Sequence, residues 1–164
     1  MKLLIVRHAT AEDGGPGVRD WDRALTHEGR AEASLISHAL QALELQPNIV
    51  LSSPLVRARQ TAEIIANILG VDMTLADELQ SGAALLDHVQ RLLTRHAVDT
   101  AMLVGHEPDL SSLAARLVNA DDRGMLLKKG GLIRIDVEGR VQAGRGRLVW
   151  LLTPRVMGAM TRNE

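Results

Sequence analysis

Short apolar runs alternate with amphipathic segments along this whole sequence, and that alternation limits the folds it can adopt more than any other feature. Apolar runs of about four to eight residues are typical of buried strands, and apolar residues repeated at helical spacing are typical of helices. Strands that alternate with helices favour an α/β fold with a mostly parallel sheet. We therefore expect a three-layer sandwich, in which helices cover both faces of a central sheet.

Local signals predict where the elements begin and end. Thr26 is expected to cap the first helix, while Ser53 and Pro54 predict the start of the second, which ends before Gly70. Later helices are predicted at 83–95 and 108–118, and strands at 2–7, 48–52, 73–75, 100–105, 131–137 and 147–152. The last two strands are expected to be antiparallel, and the tail from 157 to 164 is expected to be exposed or frayed.

Length and composition restrict the class of protein further. A chain of 164 residues fits one domain that covers residues 1–164. The absence of cysteine excludes disulfides, thiolate metal sites and a cysteine nucleophile. A net charge of −1, from 19 basic and 20 acidic residues, argues against a general attraction to nucleic acid or to an anionic membrane. Neither Phe nor Tyr is present, so the stacking platforms of single-stranded nucleic-acid binders are missing as well.

No segment of the sequence predicts insertion into a membrane. The apolar run at the N-terminus stops at Arg7 after four residues, which is far shorter than the apolar core of a secretory signal. No later stretch reaches about 18 apolar residues without a charge, the length that a membrane-spanning helix needs. We therefore expect a cytoplasmic protein.

Four side chains that can carry positive charge lie at or just after the ends of predicted strands. Arg7 and His8 end the first strand, His106 follows the strand at 100–105, and Arg57 lies in the first turn of the second helix. The carboxyl ends of parallel strands meet at one edge of a sheet, so we expect these side chains to converge. An arginine in the first turn of a helix opposes the helix dipole, unless an anion such as phosphate binds there. The pattern predicts a phosphate site, although each residue alone would also fit a packing or surface role.

These residues lie in three segments that resemble the histidine phosphatase superfamily, in that family's order. The segments are the strand that leads into Arg7-His8-Ala9-Thr10, the stretch from Ser52 to Ala62 and the stretch from Val104 to Pro108; Arg23 to Gly29 also resembles the family pattern R-x-L-T-x-x-G. The resemblance covers the chain from Met1 to about Pro154. The short length is similar to that of the compact SixA-type phosphohistidine phosphatases. The departure to note is Ala9, where the family usually has glycine.

The resemblance implies a phosphoglycerate mutase-like fold and a phosphatase that works through a phosphohistidine intermediate on His8. Arg7 and Arg57 would hold the phosphate oxygens with their planar guanidinium groups, and a protonated His106 would add a further cationic donor. As the nucleophile, His8 needs one unprotonated ring nitrogen, while its other N–H is held, most simply by a backbone carbonyl.

The family also supplies an acidic proton donor, and two positions fit that role here. Glu78 resembles a donor on the loop after the third strand, and Glu107 resembles one that directly follows the second histidine; we expect Glu78. Otherwise Glu78 is a solvated loop carboxylate and Glu107 a charge favoured by a helix dipole. Imidazole leaves as a neutral group, so phosphohistidine demands less of this acid than an alkyl phosphate does. We therefore expect the substrate to be a phosphohistidine-bearing phosphorelay or phosphotransfer protein.

Other functions fit parts of the same pattern. A small phosphomonoester could enter an open pocket, and a non-catalytic phosphate-binding module would keep both arginines but would not need His8. A nucleic-acid-binding protein is disfavoured by charge and composition. A zinc hydrolase could use His8 and His106, but we expect no metal or other cofactor, because two arginines would repel a cation and already supply positive charge. The same argument applies to a metal cluster of the nearby aspartates, Asp13, Asp20 and Asp22.

Overall fold

The computed structural model of the chain describes residues 1–161. Over this range the strands are β1 (Lys2–Arg7), β2 (Ile49–Ser52), β3 (Asp72–Leu75), β4 (Thr100–Gly105), β5 (Leu132–Val137) and β6 (Gly146–Leu152). The α-helices are α1 (His27–Ala42), α2 (Val56–Leu69), α3 (Leu86–His96), α4 (Asp109–Val118) and α5 (Pro154–Met160). Within these residues no helix is long and apolar enough to cross a bilayer.

The six strands form one sheet in the order β3-β2-β4-β1-β5-β6. Strands β1 to β4 run parallel, β5 is antiparallel to β1, and β6 is antiparallel to β5, as predicted. In the centre of the sheet, Ile5 of β1 lies opposite Leu103 of β4 and Ile133 of β5. At the carboxyl ends of β1 and β4, Arg7 lies opposite Gly105. This register brings the residues that follow the two strands next to each other.

The sheet separates two apolar clusters, which explains why its central strands are apolar on both faces. Leu3 and Ile5 of β1 pack in the cluster that includes α3 and α4. Leu4 and Val6 pack in the other cluster, with α1, α2 and α5. Successive side chains of a strand point to opposite faces, so one short strand contributes to both clusters. The predicted α/β sandwich, with a central sheet between two helical layers, is confirmed.

Two predicted helix starts are wrong. Helix α2 begins at Val56 rather than at Ser53, because the Ser53 N–H still donates to the Val104 carbonyl (2.9 Å) and so extends the pairing of β2 with β4. Helix α3 begins at Leu86 instead of residue 83. The other signals hold: the Thr26 hydroxyl accepts from the third residue of α1 (3.0 Å), and α2 ends at a left-handed glycine.

The expectation of an exposed or frayed tail from residue 157 is wrong within the described residues. Thr153 caps α5 by accepting from the Val156 N–H (3.4 Å), and Pro154 occupies its first turn. Met157 is fully buried in the apolar cluster that includes α1. The final part of that prediction, residues 162–164, lies outside the described range.

Candidate active site

His8, Arg57 and His106 lie together at the carboxyl edge of the sheet. His8 follows β1, and its backbone N–H donates to the Gly105 carbonyl at the end of β4 (3.0 Å). The ring centroids of His8 and His106 are 5.2 Å apart, and Arg57 Nε donates to His8 Nε2 at 3.3 Å. The three side chains are buried, with residue exposures of 6% for His8, 4% for Arg57 and 3% for His106. Parallel pairing of β1 and β4 thus joins two histidines that are far apart in sequence.

The His8 ring is held with its Nε2 atom unprotonated. His8 Nδ1 lies 2.8 Å from the Ala9 carbonyl oxygen. A carbonyl oxygen only accepts hydrogen bonds, so Nδ1 carries the proton and the lone pair is on Nε2. The pKa of His8 is lowered to about 3, chiefly by burial and in smaller part by repulsion from His106, Arg57 and Arg7, against the opposing effect of the Ala9 hydrogen bond. A neutral imidazole with an unprotonated ring nitrogen is able to act as a nucleophile once Arg57 Nε no longer donates to that nitrogen.

Arg57 is bound by an acidic residue that the sequence analysis did not assign to the phosphate site. Arg57 Nη1 donates to the Asp20 carbonyl oxygen (2.7 Å), and Nη2 donates to the Asp20 carboxylate (3.1 Å). Asp20 lies in a 3₁₀ turn, Asp20–Asp22, and its side chain is 66% exposed. Burial lowers the pKa of Arg57 and the Asp20 charge raises it. The Asp20 carboxylate contacts the guanidinium as a phosphate oxygen would.

Two buried nitrogen atoms of the site, Arg7 Nε and His106 Nδ1, have no hydrogen-bond partner within the described residues. Arg7 is held by its Nη1 atom, which donates to the Leu127 carbonyl (3.0 Å). His106 is held by its Nε2 atom, which lies 2.8 Å from the Ser53 hydroxyl. Buried polar atoms without partners are costly, and a bound oxyanion could supply a partner to each of them. These two atoms therefore fit a site for phosphate.

His106 differs from the expectation of a protonated ring. The pKa of His106 is lowered to about 4, chiefly by burial and in smaller part by the charge of Arg57. The ring is therefore neutral near pH 7. An opposite charge nearby raises the pKa of a histidine, so a phosphate dianion beside His106 would favour its protonated form.

Helix α2 fixes the backbone that follows His8. The Ala9 N–H donates to Thr61 Oγ1 (3.1 Å), and the Thr61 hydroxyl donates to the Arg57 carbonyl (2.7 Å). Ala9 is fully buried and does not have a positive φ, so alanine adopts this backbone without strain. The departure from the family's glycine is thereby accommodated. Helical spacing predicts Thr61 only as a residue of the buried face of α2, whereas it joins the His8 loop to Arg57.

The two candidate proton donors both have other partners. Glu78 accepts from Arg95 Nη2 (2.5 Å), and this hydrogen bond lowers the Glu78 pKa. The Glu107 carboxylate accepts from the backbone N–H and the hydroxyl of Ser111 (3.0 and 2.5 Å), at the start of α4. Within residues 1–161 neither carboxylate is hydrogen-bonded to the three buried site residues. Glu78 does lie at the same edge of the sheet, because its 3₁₀ turn packs against the end of β4.

Two of the three aspartates that the sequence brings close together, Asp20 and Asp22, are paired with arginines. Asp20 pairs with Arg57 and Arg23, and Asp22 pairs with Arg19. Within the described part of the chain, no group of three or more His, Asp and Glu side chains is arranged to hold a metal ion. Arg57 places a positive charge next to His8, because its Nε lies 3.3 Å from His8 Nε2.

An unprotonated histidine nitrogen beside an arginine, at the carboxyl edge of an α/β sheet, is the arrangement expected of an enzyme that transfers phosphoryl groups. A family model described as the histidine phosphatase superfamily (branch 1) matches residues 3–83. An uncharacterized protein from Picosynechococcus sp. is 36% identical over 158 residues, which span 93% of this chain and 96% of the relative. The chain belongs to the histidine phosphatase superfamily, and its class of activity is that of a phosphatase.

Proteins named SixA are similar to this chain over nearly its whole length. Phosphohistidine phosphatase SixA of Escherichia coli (strain K12) is 25% identical over 159 residues, which span 94% of each chain. The solved structure of the protein histidine phosphatase SixA complexed with tungstate gives a TM-score of 0.81 at 24% identity, covering 94% of this chain and 98% of that one. This likeness confirms the predicted phosphoglycerate mutase-like fold.

Proposed function

We propose that this phosphatase removes the phosphoryl group from phosphohistidine on a phosphorelay or phosphotransfer protein, through a phosphohistidine intermediate on its own His8. The observation that carries the proposal is the state of His8. The ring is buried and neutral, its Nδ1–H is held by Ala9, and its Nε2 carries no proton. A module that only binds phosphate would have no need for such a nitrogen, so a non-catalytic function is disfavoured.

Binding of the substrate requires a rearrangement around Arg57. The phosphoryl group brings negative charge next to the Asp20 carboxylate, so Asp20 has to release Arg57 Nη2. Arg7 Nε and His106 Nδ1 then gain an oxyanion as their partner. His106 takes up a proton as the dianion binds, because the new charge raises its pKa. Two arginines and a histidinium thereby stabilise the charge that develops on the phosphoryl oxygens.

The reaction is a double displacement. Arg57 Nε first releases His8 Nε2 and donates to the phosphoryl group instead. His8 Nε2 then attacks phosphorus with its lone pair, and the bond from phosphorus to the substrate histidine breaks. The bonding electrons pass to the leaving imidazole, which is neutral because its other ring nitrogen carries a proton. Water then attacks the phosphorus on His8, and the bond to Nε2 breaks with its electrons returning to that nitrogen. The protons of the water stay on the orthophosphate, which is released. While the His8 ring is phosphorylated and positively charged, the Ala9 carbonyl stabilises its Nδ1–H.

The choice of substrate depends on the proton that the leaving group needs. An alkoxide needs a proton from the enzyme, and we assign that role to Glu78 for alkyl phosphates. Glu78 has to leave Arg95 first, since their hydrogen bond keeps the carboxyl pKa low. This pairing supports phosphohistidine as the better substrate, as does the similarity to the phosphohistidine phosphatase SixA of Escherichia coli. A small phosphomonoester is the alternative.

The reaction is proposed to need neither a metal ion nor another cofactor. Arg7 and Arg57 supply the positive charge that a metal would bring to the phosphoryl oxygens. The partner is proposed to be a phosphorylated protein rather than a nucleic acid, given the net charge of −1. The cytoplasmic location stays a prediction from the sequence.

The substrate class is tested by offering the purified protein three substrates side by side: a phosphohistidine protein, a phosphoserine peptide and an aryl phosphate. Each reaction is run with and without a chelator. We expect the phosphohistidine protein to be hydrolysed fastest, at a rate that chelation does not change. Faster hydrolysis of either phosphate ester would contradict the proposed substrate, and loss of activity on chelation would contradict metal independence.

The proton donor is tested with Glu78→Gln in the same assays. Hydrolysis of the phosphoserine peptide is expected to slow much more than hydrolysis of phosphohistidine, because only the alkoxide depends on the proton. Glu107→Gln is the control and should leave the ratio of the two rates unchanged. Equal losses on both substrates from Glu78→Gln would assign Glu78 a structural role, and no loss on either would make it a surface carboxylate.

A further inference from the structure

Glu32 contacts the loop that follows His8, although the chemistry described above does not use it. Glu32 lies on α1, and its carboxylate accepts two hydrogen bonds from Thr10. Oε2 accepts from the backbone N–H (2.8 Å), and Oε1 accepts from the hydroxyl (3.2 Å). The side chain is half-buried, and Gly130 packs against it. A hydrogen bond from a backbone N–H to a carboxylate is charge-assisted and therefore stronger than one between neutral groups.

The peptide that Glu32 binds is the one that orients His8. The Ala9 carbonyl and the Thr10 N–H belong to a single planar amide. On its oxygen side this amide accepts from His8 Nδ1 (2.8 Å), and on its nitrogen side it donates to Glu32 Oε2 (2.8 Å). The carboxylate, the amide and the imidazole thus form one chain of hydrogen bonds. Bonds in such a chain polarise one another, so the charge of Glu32 makes the Ala9 carbonyl a better acceptor.

We propose that Glu32 is a positioning residue for His8 and acts through the Ala9–Thr10 amide. By fixing this amide, it keeps the proton on Nδ1 and the lone pair on Nε2 of His8, and it stabilises the charge that the ring gains when phosphorylated. In hydrolase triads a carboxylate orients the catalytic histidine by a direct hydrogen bond. Here one peptide unit lies between the Glu32 carboxylate and the His8 ring. The inference rests on the proposed function, because it assigns Glu32 to the nucleophile of that reaction.

Other contacts hold the loop, so we expect the fold to persist without Glu32. The Thr10 carbonyl accepts from the backbone N–H and the hydroxyl of Thr26 (3.0 and 3.3 Å). The Ala9 N–H donates to Thr61 (3.1 Å). These bonds fix the peptide units on either side, whereas the Ala9–Thr10 amide itself contacts His8 and Glu32. Loss of Glu32 should therefore free this amide while the path of the chain is kept.

The test compares Glu32→Ala and Glu32→Gln with Glu28→Gln, a control at an exposed position in the first turn of the same helix. Nitrogen NMR of the imidazole reports the His8 tautomer without a substrate, and steady-state kinetics with a phosphohistidine protein give kcat and KM. The parent and Glu28→Gln should show the Nδ1–H tautomer, and Glu32→Ala a mixture of both. For Glu32→Ala, kcat should fall roughly 10- to 100-fold with little change in KM, as is typical when a group that orients a functional histidine is removed.

Glu32→Gln should recover part of kcat, since its amide oxygen still accepts from the Thr10 N–H. An unchanged His8 tautomer in Glu32→Ala, a parental kcat, or a change in KM alone would overturn the proposal. If Glu32→Ala does not fold, Glu32→Gln decides, and a parental kcat in that variant would overturn it. Failure of the proposed function gives a distinct result, because the parent protein would then not hydrolyse phosphohistidine. The comparison of His8 tautomers would still test the role of Glu32.

Discussion

At the scale of single residues, the contact between Arg57 and Asp20 sets a condition for substrate binding. In the proposed reaction, a phosphate oxygen would compete with the Asp20 carboxylate for Arg57 Nη2, to which that carboxylate is bound. The side chain of Asp20 is mostly exposed, so water can solvate it once it is displaced. Arg57 is buried, but solvent screens the Asp20 end of the pair, and the charge-assisted bonds that phosphate makes to Arg57 replace the ones that Asp20 gives up.

Asp20→Asn should tighten the binding of orthophosphate. The change removes the negative charge that a phosphate has to displace, and it keeps the size of the side chain. Exposed ion pairs contribute about 0.2 to 1 kcal/mol, and the buried Arg57 puts this pair at the upper end of that range, so the inhibition constant for orthophosphate should fall about fivefold. Asp22→Asn is the control, since Asp22 lies in the same turn but pairs with the exposed Arg19. Weaker inhibition of Asp20→Asn would show that Asp20 assists phosphate binding instead of competing with it.

The positions of site residues could be predicted where a strand end fixes them. His8 and His106 follow adjacent parallel strands, and sheet geometry alone brings such residues together. Asp20 and Glu32 could not be found in this way. Asp20 contacts Arg57 from a 3₁₀ turn, and Glu32 contacts Thr10 from the side of α1. Neither contact produces a periodic signal in the sequence.

At the scale of elements, the start of α1 packs directly against the loop that contains Thr10. A Cβ atom at Gly29 would lie 1.9 Å from the Thr10 carbonyl oxygen, so only glycine allows this approach. The same carbonyl accepts from the Thr26 N–H at 3.0 Å. The first turn of α1 therefore holds the backbone that leads on from His8.

Gly29→Ala should destabilise the fold and lower kcat. Alanine favours a helix by about 1 kcal/mol over glycine, but the clash with a fixed carbonyl should outweigh this gain and leave a net loss of roughly 1 to 3 kcal/mol. Displacement of Thr10 should also disturb the Ala9 carbonyl that holds His8. Chemical denaturation and steady-state kinetics measure the two effects. Gly15→Ala is the control, because a Cβ there meets nothing within 4 Å; equal stability of the two variants would contradict the packing argument.

Strands and helices could be predicted where their burial leaves a run or a period of apolar residues in the sequence. The apolar runs of β1 and β4 reflect burial on both faces, and their bounds agree with the structure. Helix α5 has only seven residues, too few for a clear period, and Met157 is buried by contact with other elements rather than by a local signal. Helix α2 begins later than predicted because strand pairing continues through Ser53.

At the scale of the whole molecule, burial of two neutral histidines links stability to pH. The folded pKa is about 3 for His8 and about 4 for His106, whereas both are near 6.5 when unfolded. Below pH 6.5 the unfolded chain takes up protons that the folded protein does not, so acid favours unfolding. The contribution of the two neutral histidines to the free energy of unfolding is complete above pH 6.5. It is lost as the pH falls toward the folded pKa of His106, about 4, and then toward that of His8, about 3.

The free energy of unfolding should therefore fall with acid by up to about 1.4 kcal/mol per pH unit for each histidine. Denaturation curves between pH 7 and pH 4 measure this slope. A His8→Asn, His106→Asn double variant should show a flatter pH dependence than the parent, since both titrating groups are gone. An identical slope in parent and double variant would contradict burial of the two rings in neutral form.

The central claim is that the phosphoryl group passes through His8, and trapping the intermediate tests it most directly. A phosphohistidine protein labelled in its phosphoryl group is mixed with the enzyme, and the reaction is quenched with alkali within one turnover. The enzyme is then digested, and the peptide that carries the label is identified. We expect an acid-labile phosphate on Nε2 of His8. We expect no label in His8→Ala, which should fold but should not hydrolyse the substrate. Label on another residue, or near-parental turnover by His8→Ala, would contradict the claim.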